Sequence, residues 1–283
     1  MLMRLGDIEI WRILESVDVL TNPLRFFPTM GPEGLELIAR VAPRQLCPRT
    51  GKIVLPVQGF VVKDGPLTVL IDACVGNHKN SGSHAIWEGR NDTRFLAALT
   101  AAGVAPSDVT HVLCTHLHVD HVGWNTQLID GRWVPTFPNA RYLIPADDQQ
   151  HFDHPDNPVY TESVAPVIAA GQAELVGPDH GIGDNIRLIP TPGHTPGHVS
   201  VEITGADQRL IVTGDALHCP AQCWHPEWVM IADHDPDLAR ASRASLLDHG
   251  AETGARVLGC HFPLPSAGRV RAAGGAFEWI ADK

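Results

Sequence analysis

Short apolar runs broken by Gly, Pro and Asp recur along the chain, a pattern that predicts many short strands with a few helices between them. Pro56 to Val62 and Leu67 to Ile71 are apolar, β-branched runs joined across Lys63-Asp64-Gly65-Pro66, which reads as a hairpin with a Gly turn. The second of these strands ends in Asp72. Further along, Ile186 to Ile189, Val199 to Ile203 and Leu210 to Thr213 are similar runs, with Gly205-Ala206-Asp207 as a turn, and the last leads into Gly214-Asp215. Helical spacing appears where Asp92 to Ala102 puts Phe95, Leu96 and Leu99 on one face, with Gly103 just past the end. Asp235-Pro236-Asp237 carries the signals of a second helix start, and Leu238, Ala241, Ser245 and Leu246 follow at helical intervals. Strands alternating with helices in two halves of similar plan predict an α/β sandwich.

No low-complexity linker divides the chain, so residues 1–283 are expected to form a single domain. The segment 21–50, with Pro23, Phe26-Phe27-Pro28 and Gly31-Pro32, has no clear period. It reads either as an arm over an active site or in a dimer contact, or as a surface loop anchored by its two phenylalanines.

Composition changes the picture in one respect. The 16 His are roughly twice the average share, which directs attention to metal chemistry. With 21 Lys+Arg against 32 Asp+Glu the net charge is −11. No basic run is present, so nucleic acid is not an expected partner. An acidic residue, Asp7, interrupts the N-terminus before any apolar run of signal length, and no stretch is apolar enough to span a membrane. A soluble, cytoplasmic protein is expected. The six Cys (47, 74, 114, 219, 223 and 260) form no CxxC pair and read as buried thiols of a reducing compartment.

The chemistry concentrates where the strand pattern Thr110 to Thr115 runs into His116-Leu117-His118-Val119-Asp120-His121. Residues two apart in an extended segment project to the same side, so His116 and His118 can bind one metal ion. Asp120 and His121 follow where the chain turns and are aimed differently, toward a second ion. Further donors stand at turns: His194 in Thr191-Pro192-Gly193-His194, Asp215 at a strand end where a carboxylate can bridge two cations, and His261 in Gly259-Cys260-His261 after the strand Arg256 to Leu258. His198, in Thr195-Pro196-Gly197-His198, reads as a residue that packs behind the ligands. The set of five His and two Asp divides into two sites that share a carboxylate.

His-x-His-x-Asp-His, Thr-Pro-Gly-His, Thr-Gly-Asp and a late His together resemble the pattern of the metallo-β-lactamase superfamily, over about residues 50 to 265. The resemblance implies a four-layer αββα sandwich with the metal site at the edge between the two sheets. It also implies that His116, His118 and His194 hold the first metal, Asp120, His121 and His261 the second, and that Asp215 bridges them. Two Zn2+ are expected, and Mn, Fe or Co fit the same donors. True zinc β-lactamases are secreted and generally lack the bridging Asp. Flavodiiron proteins carry Glu where His118 stands, and glyoxalase-type thioesterases continue into a helical domain after the late His. RNA-processing nucleases would want a basic surface.

The resemblance is greatest to the lactonase, organophosphate hydrolase and esterase group, in Cys114 to Asn125, Gly214 to Trp228 and Arg256 to Arg269. Acyl-homoserine lactonases usually place Tyr three positions after the bridging Asp, where this chain has His218. The implied activity is hydrolysis of small apolar lactones or carboxylic esters, with organophosphate triesters as promiscuous substrates. A metal-bridging hydroxide is the expected nucleophile, with Asp120 orienting it and His218 contacting the substrate or standing behind the ligands. Asp72 reads either as a partner of a ligand His or as a turn cap. Trp87, Trp124, Trp133, Phe137, Trp224, Trp228, Phe26 and Phe27 supply either an apolar pocket or core. The alternative from another class is a mononuclear iron dioxygenase of the persulfide type; a β-lactamase is the lesser option.

Overall fold

The computed structural model describes residues 1–82 and 84–282. They divide into two compact units, Met1–Ser16 with Val57–Gly183, and Val17–Pro56 with Asp184–Lys283.

The first unit is built on a seven-stranded sheet. Its strands are β1 (Met3–Leu5), β2 (Ile8–Val19), β3 (Val54–Asp64), β4 (Leu67–Ile71), β5 (His111–Leu113), β8 (Arg141–Pro145) and β9 (Ala173–Val176), hydrogen-bonded in that order. A separate hairpin holds β6 (Thr126–Ile129) and β7 (Arg132–Pro135). Leu55 to Val62 are buried without interruption, as befits a strand covered on both faces, whereas β2 alternates. The hairpin of the sequence reading is present: Asp64 pairs with Leu67 across Gly65-Pro66, and Gly65 has φ +54°. From β4 onward the pairing turns parallel, β4 with β5, β5 with β8 and β8 with β9. The parallel pairing aligns the C-terminal ends of β4 and β5, where Asp72 and the histidine run emerge. The helix Arg94–Ala101 buries Phe95 and Leu99, two of the three residues its spacing selected, and Gly103 follows at φ +65°.

The second unit carries another seven-stranded sheet, β10 (Gly181–Ile182), β11 (Ile186–Pro190), β12 (Val199–Gly205), β13 (Gln208–Val212), β14 (Arg256–Leu258), β15 (Ala267–Ala273) and β16 (Ala276–Ala281), in sequence order. β13 and β14 pair in parallel, and the helix Pro236–Thr253 connects them. Asp235 caps that helix by accepting from the Leu238 amide at 3.0 Å, and Gly254 leaves it in a left-handed conformation, φ +63°. The β12–β13 turn puts Ala206 and Asp207 at positive φ, as a two-residue hairpin turn requires.

The segment 21–50, which showed no period, folds as the short helices Pro23–Phe26 and Gly34–Val41 with a 3-10 turn Pro43–Gln45, all in the second unit. Phe26 and Phe27 are both buried there, Phe27 against Trp228. All six cysteines are buried free thiols. No described helix is long and apolar enough to cross a membrane.

Candidate metal centre

In the first unit β4 and β5 end side by side, and their ends carry the chemistry. The Asp72 amide donates to the Leu113 carbonyl, and Asp72 sits at φ +60°, which turns its carboxylate back toward the β5 end. Its Oδ1 accepts from the Thr115 amide at 2.8 Å, and its Oδ2 from Thr115 Oγ1 at 2.9 Å. The same Oδ2 accepts from His121 Nδ1 at 2.8 Å, so Asp72 partners a histidine of the motif. The segments that follow Asp72 and His121 pass in close contact: a Cβ on Gly123 would lie 1.7 Å from the Val75 carbonyl oxygen.

His116 and His118 project together, as the extended spacing predicts. His116 Nε2 and His118 Nδ1 face each other at 3.1 Å, while His116 Nδ1 meets Thr115 Oγ1 at 3.1 Å. A buried Asp148 oxygen accepts the Leu117 amide between them. Asp120 and His121 are the middle residues of the short helix Val119–Val122, and His121 Nε2 lies 3.8 Å from Asp120 Oδ2.

In the second unit three turns bring His194, Asp215 and His261 together. His194 Nε2 is 3.3 Å from Asp215 Oδ2, and His261 Nε2 is 3.1 Å from Asp215 Oδ1. The other nitrogen of each ring is held from outside: His194 Nδ1 donates to Asp233 Oδ1 at 2.9 Å, and His261 Nδ1 to the Pro56 carbonyl at 2.8 Å. Burial alone would lower the His194 pKa, but hydrogen bonds and charge from Asp215 and Asp233 raise it to about 9. The position therefore favours positive charge. His198 stands apart from the ligand nitrogens: its Nε2 accepts from the Asp215 amide at 2.8 Å and its Nδ1 donates to the Thr191 carbonyl at 3.0 Å.

His218 joins this group. Its Nε2 donates to Asp215 Oδ2 at 3.0 Å, and its buried Nδ1 has no hydrogen-bond partner among the described residues. Phe26 presents itself edge to face against the ring at 5.7 Å, and His261 stacks parallel at 5.6 Å. The backbone of His218 is fixed from both sides, its amide to Gln222 Oε1 at 2.7 Å and its carbonyl to Gln45 Nε2 at 3.2 Å. Gln45 reaches the His261 carbonyl as well, at 3.1 Å.

Asp233, Gln45, Gln222 and Thr115 were not singled out by the sequence reading. Each acts on these turns through hydrogen bonds to residues distant in the chain or to backbone groups, and only Asp233, two residues before the helix cap Asp235, carried even a weak signal. Most of the aromatics form core: Trp124 stacks on Phe95 at 5.1 Å, Phe137 packs near Tyr142, and Trp228 is buried. Cys219 is buried, and burial raises its pKa to about 12, so it stays a thiol. His78, His84, His151, His154 and His234 are exposed.

Comparison with known proteins gives a consistent result. The sequence model of the metallo-beta-lactamase superfamily matches residues 54–261. Metallo-beta-lactamase domain-containing protein 1 of Xenopus laevis is 32% identical over 186 residues, which is 65% of this chain and 63% of that protein, so the match spans less than two thirds of its length. N-acyl homoserine lactonase of Bacillus thuringiensis is 26% identical over 204 residues, covering 68% of this chain and 76% of the lactonase. Among solved structures AidC, a dizinc quorum-quenching lactonase in complex with a product, superposes with a TM-score of 0.81 at 23% identity, over 99% of this chain and 96% of that one. At that identity the likeness shows the fold, which is the mixed α/β, two-sheet fold expected from the sequence.

Proposed function

The chain belongs to the metallo-beta-lactamase superfamily, and on that premise we propose that it is a metal-dependent hydrolase of small apolar lactones or carboxylic esters, taking organophosphate triesters as further substrates. The observation that carries the reading is the way the histidines are held. His121, His194 and His261 each donate Nδ1–H to an outer acceptor, which fixes the ring and turns Nε2 toward the carboxylates of Asp120 and Asp215. Metal-ligating histidines are held in this manner. The donor set, nitrogen and oxygen without thiolate, fits divalent zinc and also Mn, Fe or Co. The lactonase relative and the dizinc lactonase of the same fold favour zinc and a lactone substrate.

In this reading His116, His118 and His194 would hold one ion and Asp120, His121 and His261 the other, with Asp215 shared between them. When bound, paired divalent cations lower the pKa of water toward neutrality and polarise a carbonyl or phosphoryl oxygen. The chain's own residues supply the rest. Asp120 orients the attacking water and accepts its proton. His218, tied to Asp215 through Nε2, turns Nδ1 to the substrate, at the place where acyl-homoserine lactonases usually carry a tyrosine. Phe26 shields that ring and excludes water from its side.

The test is metal analysis of protein purified without added metal, with a lactone, an aryl ester, a phosphotriester and a β-lactam assayed on the same sample. Two zinc per chain with lactone or ester turnover is the expected result. One iron without hydrolysis overturns the reading. Asp215→Ala is expected to lose a metal ion and to lower turnover by about a hundredfold or more, the scale of removing a group central to transition-state stabilisation. Unchanged turnover removes Asp215 from its bridging role.

A further inference from the structure

The largest fully buried side chain of the described residues is a cation, Arg243, in the middle of the helix Pro236–Thr253. Arginine is almost never fully buried unless paired, because its desolvation costs several kcal/mol. Here every nitrogen of the guanidinium has an acceptor. Nε donates to the Ala216 carbonyl at 2.7 Å, and Nη1 to the carbonyls of Pro226 and Trp228 at 2.7 and 2.8 Å. Nη2 faces Asp233 Oδ2 at 3.5 Å. A side chain needed only to cover the turn would be apolar at this position, as Leu246 and Leu247 are on the same helix.

The four acceptors are not scattered. Ala216 follows Asp215 directly, and Pro226 and Trp228 close the loop that begins there. Asp233 is the residue that holds His194. The Asp233 carboxylate is divided between its partners: Oδ2 faces Arg243 and accepts the Met230 amide at 3.0 Å, which leaves Oδ1 for His194 Nδ1. The neighbouring turns of the helix bind a second loop, the one that carries His194. Ser242 Oγ donates to the Pro192 carbonyl at 2.6 Å, and the Asp235 amide to the Gly193 carbonyl at 2.9 Å.

We propose that Arg243 is a positioning residue for the metal-ligating side chains, fixing His194 through Asp233 and Asp215 through the Ala216 carbonyl, so that one buried cation sets the aim of two ligands. The proposal rests on the metal-centre reading given above. The planar fork is essential to it, since five donors in fixed geometry reach four acceptors where the compact ammonium of lysine could reach fewer.

The experiment compares zinc release to a chromogenic chelator from the zinc-loaded wild type, Arg243→Lys, Asp233→Asn and the double variant. Leu246→Ala serves as a control that loosens the same helix without touching a ligand. Both single variants are expected to release zinc about tenfold faster or more, the range for residues that orient metal ligands. The double variant is expected to fall short of the product of the two, because the pair acts on His194 in series. Leu246→Ala is expected to lower the melting temperature of the metal-stripped protein without changing zinc release. Unchanged release in Arg243→Lys, multiplying effects in the double variant, or equally fast release from Leu246→Ala would each overturn the proposal. If Arg243→Lys does not fold, Asp233→Asn decides alone, and release at the wild-type rate overturns it. A wild type that holds no zinc overturns the metal-centre reading itself, and that is known before any variant is compared.

Discussion

Single residues in this chain are set by what burial does to their charge. Lys79 is the clearest case away from the candidate metal centre. Its Nζ lies 2.5 Å from Thr126 Oγ1, 3.1 Å from the Glu162 carbonyl and 3.5 Å from the centroid of the Trp133 ring. Burial lowers its pKa to about 7, against the opposing charge of Glu162. The unfolded chain, with an ordinary lysine pKa, then binds more protons than the folded one between about pH 7 and pH 10.5. Stability linked to this group therefore rises with pH across that window and is lost as pH falls toward 7. Relative to Lys79→Met, the wild type is expected to gain on the order of 1 kcal/mol per pH unit from pH 7 to pH 10. Urea denaturation of both proteins at several pH values measures it, and a pH-independent difference contradicts the assignment. No local pattern signals this lysine, because its partners Thr126, Trp133 and Glu162 are distant along the chain.

At the scale of elements, the turns that present ligands depend on glycines in close quarters. Gly193, in the His194 turn, has φ +127°, and a Cβ there would lie 2.1 Å from the Ala239 amide nitrogen on the neighbouring helix. Gly254, at the end of that helix, has φ +63° and open space around it. Gly254→Ala is expected to cost about 1 kcal/mol, the penalty of a left-handed residue alone. Gly193→Ala combines strain with a backbone clash and is expected to cost about 3 kcal/mol or more and to weaken retention of a bound divalent metal. Chemical denaturation and metal content of the two variants check the order, and equal costs would remove the close approach as a constraint. These elements were largely legible in advance. The hairpin over Gly65-Pro66, the helix after Asp235 and the strand Arg256–Leu258 all carry local signals, caps, turn residues and periodicity that act within a few residues. The hairpin of β6 and β7 has such a signal too, Asp130-Gly131 with both residues at positive φ, which the sequence reading passed over.

For the whole molecule the metal ions, when bound, are expected to contribute to stability as the logarithm of the ratio of their concentration to the dissociation constant. One ion at a hundred times that constant adds about 2.7 kcal/mol, so stripping by chelator is expected to lower the melting temperature by about 5 °C or more. Scanning calorimetry with and without chelator measures it; an unchanged transition would mean that the folded chain holds no ion of consequence. What the sequence by itself determined is the set of elements that carry the proposed donors. His116, His118, Asp120, His121, His194, Asp215 and His261 all stand at strand ends or tight turns, and a turn's chemistry is written locally. Only the tertiary structure decided which groups hold those donors. Asp72 meets His121 because β4 and β5 end side by side. Asp233 meets His194 with Arg243 behind it, because the helix Pro236–Thr253 packs under two loops. The segment 21–50, aperiodic in sequence, reaches His218 and His261 through Phe26 and Gln45. The physical reason is the same in each case: a hydrogen bond or ion pair between residues far apart in the chain leaves no periodicity or spacing behind, and it exists only once the elements that bear its two halves have packed.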